Sequence, residues 1–153
     1  ILIYVAVRFE LLFGVAAIIA LIHDTIIMVV AYSIFNIPLN GTFIAALLTI
    51  IGYSINDTIV IFDRIRENMK AQHNKKIDYD NLVNTSVSQT LIRSIITSVT
   101  TLITVLALYF LGVPAIKEFA LPLIVGIVSG CYSTIFIASP LWVMMKRKFK
   151  LAH

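Results

Sequence analysis

The chain of 153 residues has few charged side chains and almost no cysteine. Only 13% of its residues are charged and 59% are hydrophobic, whereas a soluble domain has about 25% charged and about 45–50% apolar residues. Its one cysteine, Cys131, excludes a disulfide within the chain. That cysteine lies in an apolar segment, where a lone cysteine usually behaves as a small hydrophobic residue. The composition excludes an ordinary soluble domain and predicts an integral membrane protein.

Several motifs that carry chemistry are also missing. The sequence has no GxxxxGKS or GxxxxGKT motif for nucleotide phosphates, and no G-x-S-x-G or Cys–His arrangement that would supply a nucleophile. His23 and Asp24 are adjacent, but no further ligands at metal-binding spacing accompany them. The basic residues are not interleaved with aromatic ones, as they are on a nucleic-acid-binding surface. We therefore predict no enzyme activity, no cofactor, no metal ion and no nucleic-acid partner.

Long apolar runs predict an all-α, polytopic transmembrane helix bundle that forms a single domain over residues 1–153. Residues 1–35 as one helix would be about 52 Å long, which exceeds the hydrocarbon thickness of about 30 Å. Arg8-Phe9-Glu10 therefore marks a tight connection. The predicted spans are a partial one at 1–7 and four complete ones at 11–35, 42–62, 87–111 and 119–145.

The segment at 63–86 is predicted to be a cytoplasmic amphipathic linker. Its apolar residues recur at spacings of three and four and continue into the next span, as is typical of a helix lying on the membrane surface. They are Ile77, Tyr79, Leu82, Val83, Val87 and Leu91. The charged residues Asp63, Arg64, Arg66 and Glu67 predict a solvated helix end with local salt bridges, or a docking site for a cytoplasmic partner.

The basic residues predict the orientation of the bundle. Arg8, the group at 64–76 and the group at 146–150 lie on one side, whereas the loops of the other side contain only Lys117. The positive-inside rule makes the basic loops and the C-terminus cytoplasmic. The chain opens on ILIYVAV, without a starting Met and too short to span, so we expect a piece of a longer protein.

Asn56 and Asp57 interrupt an apolar run within GYSINDTIVIFDRIREN at 52–68. A carboxylate in a membrane span costs about 2.5–3.5 kcal/mol on insertion scales, and such residues usually mark functional sites. Asp57 lies about 8 Å inside the predicted end of its span, and Arg93 lies at a similar depth in the next, antiparallel span. If the two helices are neighbours, the two charges can meet.

Asp57 and Arg93 are the predicted proton-coupling residues. Burial and a nearby guanidinium act in opposite directions on a carboxylate's affinity for protons, which suits Asp57 to bind and release a proton. Arg93 stays charged, so its role would be electrostatic. The alternative is a static buried ion pair that sets the register of the helices.

Hydroxyl groups near this pair are candidates for a proton relay. Thr97, Thr100 and Thr104 follow Arg93 at spacings of four, three and four, and Tyr53 and Ser54 lie one turn from Asp57. The predicted relay or supporting residues are Asn56, Tyr53, Ser54, Thr97, Thr100 and Asp24. Small hydroxyl residues also permit close helix packing, and Asp24 can instead be a hydrogen-bonded structural group. Gly126-x-x-x-Gly130 is a close-packing motif.

Several motifs resemble the SecF family of protein-export membrane subunits, in the resistance-nodulation-division superfamily. Gly52-Tyr-Ser-x-Asn-Asp-Thr58, followed by Phe62-Asp-Arg64 and Arg66-Glu-Asn68, is similar to the signature of that family. Arg8-Phe-Glu10, Leu21-Ile-His-Asp24 and Tyr132-Ser-x-Ile-Phe-Ile-Ala-x-Pro140 also fit. The resemblance covers nearly the whole chain, and the FDRIREN ending favours SecF over SecD.

The resemblance implies half of a resistance-nodulation-division-type membrane domain, in which the first helix and the external domain are missing. It implies a multi-pass protein of the bacterial or archaeal cytoplasmic (inner) membrane that uses the proton motive force to promote preprotein translocation. The family's coupling Asp and Arg fall on Asp57 and Arg93. The implied partners are SecD, separate or fused, the SecY translocon, YidC, unfolded preprotein through the missing external domain, and the lipid bilayer.

Two other functions remain open at this point. One is a proton-coupled exporter of small molecules or lipids from the same superfamily, and the other is a scaffold that holds translocon partners without transport. The coupling ion is also open, because a carboxylate with amide and hydroxyl neighbours offers oxygen ligands that suit sodium as well as protons.

Overall fold

The protein is a bundle of long helices in a computed structural model that describes residues 11–71 and 78–151. The helices are α1 (Leu11–Ile34), α2 (Gly41–Ala71), α3 (Tyr79–Leu111), α4 (Pro114–Ser133) and α5 (Ser139–Leu151), with a π-helical segment at Thr134–Ala138 that joins α4 to α5. Within those ranges there is no strand. Four helices are long and apolar enough to cross a membrane, the last being Pro114–Lys148. The predicted all-α transmembrane bundle is confirmed, whereas the partial span at 1–7 and the connection at Arg8–Glu10 lie outside the described residues.

The helices are longer than the predicted spans at one end of the bundle. α2 continues to Ala71, and α3 begins at Tyr79 with Asp78 as its N-cap, whose side chain accepts from the backbone of Asp80 and Asn81. The segment at 63–86 is therefore not a separate surface helix in its described part; Ile77 lies outside that part. Leu82 and Val83 are buried in the bundle, so the amphipathic pattern reflects packing of helix on helix.

Two apolar cores lie at opposite ends of the bundle. The first surrounds Phe13, Phe62 and Trp142, and the Phe13 and Trp142 rings stack with centroids 4.6 Å apart. This core lies at what we call the basic end, where α2 ends, α3 begins and α5 carries Lys146-Arg147-Lys148. The second core surrounds Met28 and Ile50. Between the cores, the buried residues are mainly polar, and we call this region the polar layer.

Two glycines allow α4 to approach α2 closely. A Cβ atom built on Gly126 would lie 2.5 Å from the Cδ1 and Cγ1 atoms of Ile50, and one on Gly130 would lie 3.2 Å from the Cβ atom of Ser54. Ile50 is buried, and a β-branched side chain in a helix has little rotamer freedom. The Gly126-x-x-x-Gly130 motif thus permits close approach of two helices, as small-x-x-x-small motifs do in membrane proteins.

We predict that Gly126→Ala destabilises the protein. Its new methyl group would overlap Ile50, and overpacking of this kind costs about 1–3 kcal/mol. The measurement is the apparent melting temperature of the full-length protein in detergent. Gly52→Ala is the matched control, because nothing lies within 4 Å of its added Cβ and alanine is favoured over glycine in a helix by about 1 kcal/mol. Equal melting temperatures for the two variants would contradict the packing argument.

Candidate functional site

The polar layer contains a carboxylate, Asp24 of α1, that is surrounded by hydroxyl groups. Asp24 is 1% exposed. Ser54 Oγ and Ser133 Oγ donate to its Oδ2 atom at 2.6 and 2.8 Å, and Ser129 Oγ donates to its Oδ1 atom at 2.7 Å. His23 Nδ1 lies 3.2 Å from Oδ1. We call Asp24 and its three serines the Asp24 cluster.

The geometry of the Asp24 cluster favours a structural role over a relay. Both carboxylate oxygens accept hydrogen bonds from helices other than α1, namely α2 and α4. A buried charged group becomes tolerable when its hydrogen bonds are made in this way. Ser54, predicted to support Asp57, belongs instead to this cluster.

Asp57 of α2 has a different environment. It is 8% exposed, and its Oδ1 atom accepts from Ser94 Oγ of α3 at 2.7 Å. Its Oδ2 atom is buried and has no hydrogen-bond partner among the described residues. Buried polar atoms are nearly always paired. An exception within a span therefore calls for an explanation, and a group that binds a proton or an ion supplies one.

Arg93 lies on α3 next to Ser94, on the helix that faces Asp57. Its side chain is exposed, and no ion pair within 4.0 Å joins it to Asp57 among the described residues. It is still near enough for a Coulombic attraction to the carboxylate. The helices of Asp57 and Arg93 are neighbours, as a meeting of the two charges requires. The direct contact on which a static ion pair would depend is not formed among the described residues.

The other predicted residues are distributed over three places. Tyr53 OH donates to Ser98 Oγ at 3.0 Å, on the α2–α3 interface. Asn56 is exposed. Thr97 and Thr100 are also exposed, and their hydroxyls donate to carbonyls of their own helix, those of Arg93 and Ile96, both at 2.9 Å.

A second stripe on α3, which sequence reasoning missed, faces the bundle. Ser86, Thr90, Ser94 and Ser98 recur every four residues and are buried. Their four-residue spacing is visible in the sequence, but the helix face that includes Arg93 contains Thr97, Thr100 and Thr104 and not these residues. Ser94 is the member that touches Asp57. In the ranges described, no group of three or more His, Cys, Asp or Glu residues could hold a metal ion.

Comparison with known proteins identifies the family. Residues 1–148 match the model of the protein export membrane proteins SecD/SecF, C-terminal region. The chain belongs to the SecD/SecF family. It is 50% identical over 149 residues to protein translocase subunit SecF of Alicyclobacillus acidocaldarius, an alignment that covers 97% of this chain and 48% of that protein. The expected resemblance to SecF is confirmed, and such relatives are named as translocase subunits rather than enzymes.

The fold is also that of SecDF structures. A crystal structure of SecDF in its super-membrane-facing form matches with a TM-score of 0.91 at 49% identity, covering 99% of this chain and 20% of that one. The SecDF protein of Thermus thermophilus is 50% identical over 150 residues, which are 98% of this chain and 20% of that protein. The chain thus spans about half the length of SecF relatives and a fifth of SecDF relatives.

We predict that Asp24→Ala destabilises the bundle and that Asp24→Asn largely preserves it. Alanine removes the acceptor for three buried hydroxyls, and each unsatisfied group costs about 1–3 kcal/mol. Asparagine retains one carbonyl oxygen that can accept, and the serine hydroxyls can rotate toward its amide. The measurement is folded yield and melting temperature of the full-length protein. Thr25→Ala is the neighbouring control, since that hydroxyl donates to the carbonyl of Leu21 in its own helix. A stable Asp24→Ala variant would contradict the structural role.

Proposed function

We propose that this chain is the membrane domain of a SecF subunit that uses the proton motive force to promote preprotein translocation. The observation that carries the proposal is the Oδ2 atom of Asp57, which is buried between α2 and α3 and has no hydrogen-bond partner among the described residues. Membership of the SecD/SecF family, whose relatives include proteins named translocase subunits, supports it.

The physical argument starts from the cost of the Asp57 charge. In the part of the chain that the structure describes, Asp57 accepts one hydrogen bond, from Ser94, which leaves its ionised carboxylate poorly compensated inside a membrane. Binding a proton at Oδ2 removes that charge. Because a charge that crosses the membrane field gains about 2.3 kcal/mol per 100 mV, a proton bound here and released on the other side can drive a change in the bundle.

Arg93 is the proposed electrostatic partner of Asp57. Its guanidinium cannot give up a proton at ordinary pH, so it acts only through its charge. It attracts the ionised form of Asp57 and has no such attraction for the protonated form. Each change of protonation therefore alters the force between α2 and α3, which links proton binding to helix movement.

The proposed partners follow from the exposed face of α3. Ile92, Ile96 and Ile103 are exposed there together with Thr97 and Thr100. We propose that the SecD half of the membrane domain packs on this face, as a separate subunit or a fused one, and that any relay through Thr97 and Thr100 depends on it. Contacts with SecY, YidC and preprotein would involve parts of the protein outside this chain. The basic end would face the cytoplasm.

We predict that Asp57→Asn abolishes export that depends on the proton motive force, while protein level and assembly stay normal. Asparagine keeps the shape and a hydrogen-bond acceptor but cannot titrate. The measurement is preprotein export in cells that carry the variant in the full-length complex. Asp24→Asn, which changes the other intramembrane carboxylate in the same way, is the matched control and should export normally.

The same experiment separates the alternatives. Normal export by Asp57→Asn would overturn coupling through this residue. If substitutions in the charged segment 63–67 then abolished export, the scaffold function would be supported. If Asp57→Asn stopped export, the coupling ion would be identified with the unsubstituted protein. Its export would be measured in media with and without sodium at a fixed membrane potential. Export that follows the sodium gradient would contradict the proton.

We predict that Ser94→Ala lowers export severalfold. It removes the one hydrogen bond that the described residues give to Asp57, and a hydrogen bond to a charged group contributes about 1.5–3 kcal/mol. Thr101→Ala on the same helix is the control, because its hydroxyl donates to the carbonyl of Thr97 within that helix. The assay is the rate of preprotein export at matched protein level. Equal rates for the two variants would show that Ser94 does not set the state of Asp57.

A further inference from the structure

An apolar furrow runs between α3 and α4 on the outer surface of the bundle, and we call it the α3–α4 groove. Its volume is about 400 Å³. Its outermost described lining residues are Leu91 and Leu102 on α3, and Ile127 and Phe136 on α4 and its π-helical continuation. Eight of its eleven described lining residues are aliphatic or phenylalanine, and none is charged. An occupant that fits this lining is apolar along its whole length.

The hydroxyl group in the wall of the groove is bonded within the bundle. Ser98 is buried, and its Oγ atom accepts from Tyr53 OH of α2 at 3.0 Å. The rim is formed by the rings of Tyr132 and Phe136, which stack with centroids 5.1 Å apart and are 54% and 62% exposed. The groove thus offers packing surfaces and aromatic faces rather than hydrogen bonds.

The dimensions of the groove match a single hydrocarbon chain. Leu91 and Leu102 are about 16 Å apart along α3, which is about half of the hydrocarbon thickness of about 30 Å. Spread over that length, a volume of about 400 Å³ gives a mean cross-section of about 25 Å², whereas a helix with a diameter of about 10–12 Å needs about 80–110 Å². Because α3 and α4 pack directly against each other, a third helix cannot enter between them.

The position of the groove along α3 indicates the leaflet from which a chain would come. The apolar span predicted at 87–111 has its middle at residue 99, so the groove lies mainly in the half next to the basic end. Asn84 and Ser88 are exposed seven and three residues before Leu91, spacings that keep them on the same side of the helix. Farther along, Arg147 of α5 forms an ion pair with Asp80. Polar and basic groups therefore lie where the headgroups of that leaflet would be.

Packing gives a chain a reason to prefer this groove to other parts of the surface. Lipid tails are as apolar as leucine, so the hydrophobic effect does not draw a chain to a membrane protein. A chain in the groove contacts α3 on one side and α4 on the other, whereas a chain on a convex helix face contacts one helix. Since dispersion attraction grows with the number of atoms in contact, the groove binds a chain more strongly.

We propose that the α3–α4 groove is a phospholipid site, which binds one acyl chain of a phospholipid from the leaflet at the basic end. The inference goes beyond the proposed function and does not depend on it. The groove lies about 100° around α3 from Ile92 and Ile96, where SecD is proposed to pack, so both sites can be occupied together. Among the four described spans, α3 is the least buried, and the bound chain supports it on one side.

The first test is photolabelling in a membrane. Full-length protein is placed in vesicles of phosphatidylglycerol, with a trace of the same lipid that carries a diazirine in the distal half of one acyl chain. After illumination, the adducts are located by mass spectrometry of peptides. We expect adducts on both walls of the groove. Ile95→Trp, whose larger ring fills the groove from α3, should lower the adducts on the α4 wall severalfold.

Ile19→Trp is the matched control for this experiment and should leave the adducts on α4 unchanged. Ile19 lies on α1 at a similar depth and is 39% exposed, against 46% for Ile95. If Ile95→Trp does not fold, Val128→Trp fills the groove from the other wall, and the adducts on α3 are the readout. Adducts that these groove variants leave unchanged, or groove walls without adducts, would overturn the site. Adducts that appear only when SecD is removed would also overturn it, because a protein segment would then be the occupant.

A second test identifies the kind of lipid. Phosphatidylglycerol added to delipidated full-length protein in detergent should raise the apparent melting temperature by several degrees, since a ligand of the folded state stabilises it. In Ile95→Trp the rise should be at most half as large. Palmitic acid at the same concentration supplies a chain without the headgroup, and an equal rise would contradict a phospholipid and indicate a fatty acid. Neither test measures export, so failure of the Asp57→Asn prediction would leave this site standing.

Discussion

The hydrogen bonds from three serine hydroxyls to Asp24 are the constraint on which the bundle depends. A carboxylate that is 1% exposed between membrane spans is costly unless its oxygens are paired. Its donors come from α2 and α4, so three helices must stay within hydrogen-bond distance of one point. Gly126 and Gly130 permit that approach, because larger residues would collide with Ile50 and Ser54. The two apolar cores on either side of the layer then fix the helices along their length.

This arrangement explains why the two intramembrane carboxylates, Asp24 and Asp57, have different surroundings. All three hydroxyl donors of Asp24 lie on α2 and α4, whereas the hydroxyl donor of Asp57 lies on α3. Of the apolar 18-residue stretch of α3, only 17% is buried within the described chain, whereas 50% of the corresponding stretch of the helix Pro114–Lys148 is buried. A shift of α3 would change the Ser94–Asp57 bond and leave the Asp24 cluster intact, since α3 contributes nothing to that cluster. The bundle thus combines a fixed carboxylate with one whose surroundings can change.

The sequence predicted the number of spans, because hydropathy is a local property. It gave Asp57 and Arg93 a similar depth and left open whether their helices are neighbours, which they are. It did not predict the ends of α2 and α3, since hydropathy marks the apolar window and not the helix that continues beyond it. The buried hydroxyl stripe of α3 was also not predicted. Thr97 and Thr100 satisfy helical spacing as well as Ser94 and Ser98 do, and the two faces differ by about 100° of helix rotation, which only packing determines. The three serines could not be predicted as hydrogen-bond donors to Asp24, because they are 30, 105 and 109 residues away from it in the sequence.

The π-helical segment at Thr134–Ala138 explains how one helix serves both the polar layer and the core at the basic end. Gly126, Gly130, Thr134, Ala138 and Trp142 recur every four residues, and all are buried. In a straight α-helix, five residues at this spacing would drift by about 160° around the axis, which would carry Trp142 away from the bundle. A π turn accommodates one extra residue and reduces the drift to about 60°. Thr134 then meets Thr58 with their hydroxyls 3.1 Å apart, and Trp142 stacks on Phe13. The unusual turn therefore keeps a single face of this helix against α1 and α2 from the Asp24 cluster to the basic end.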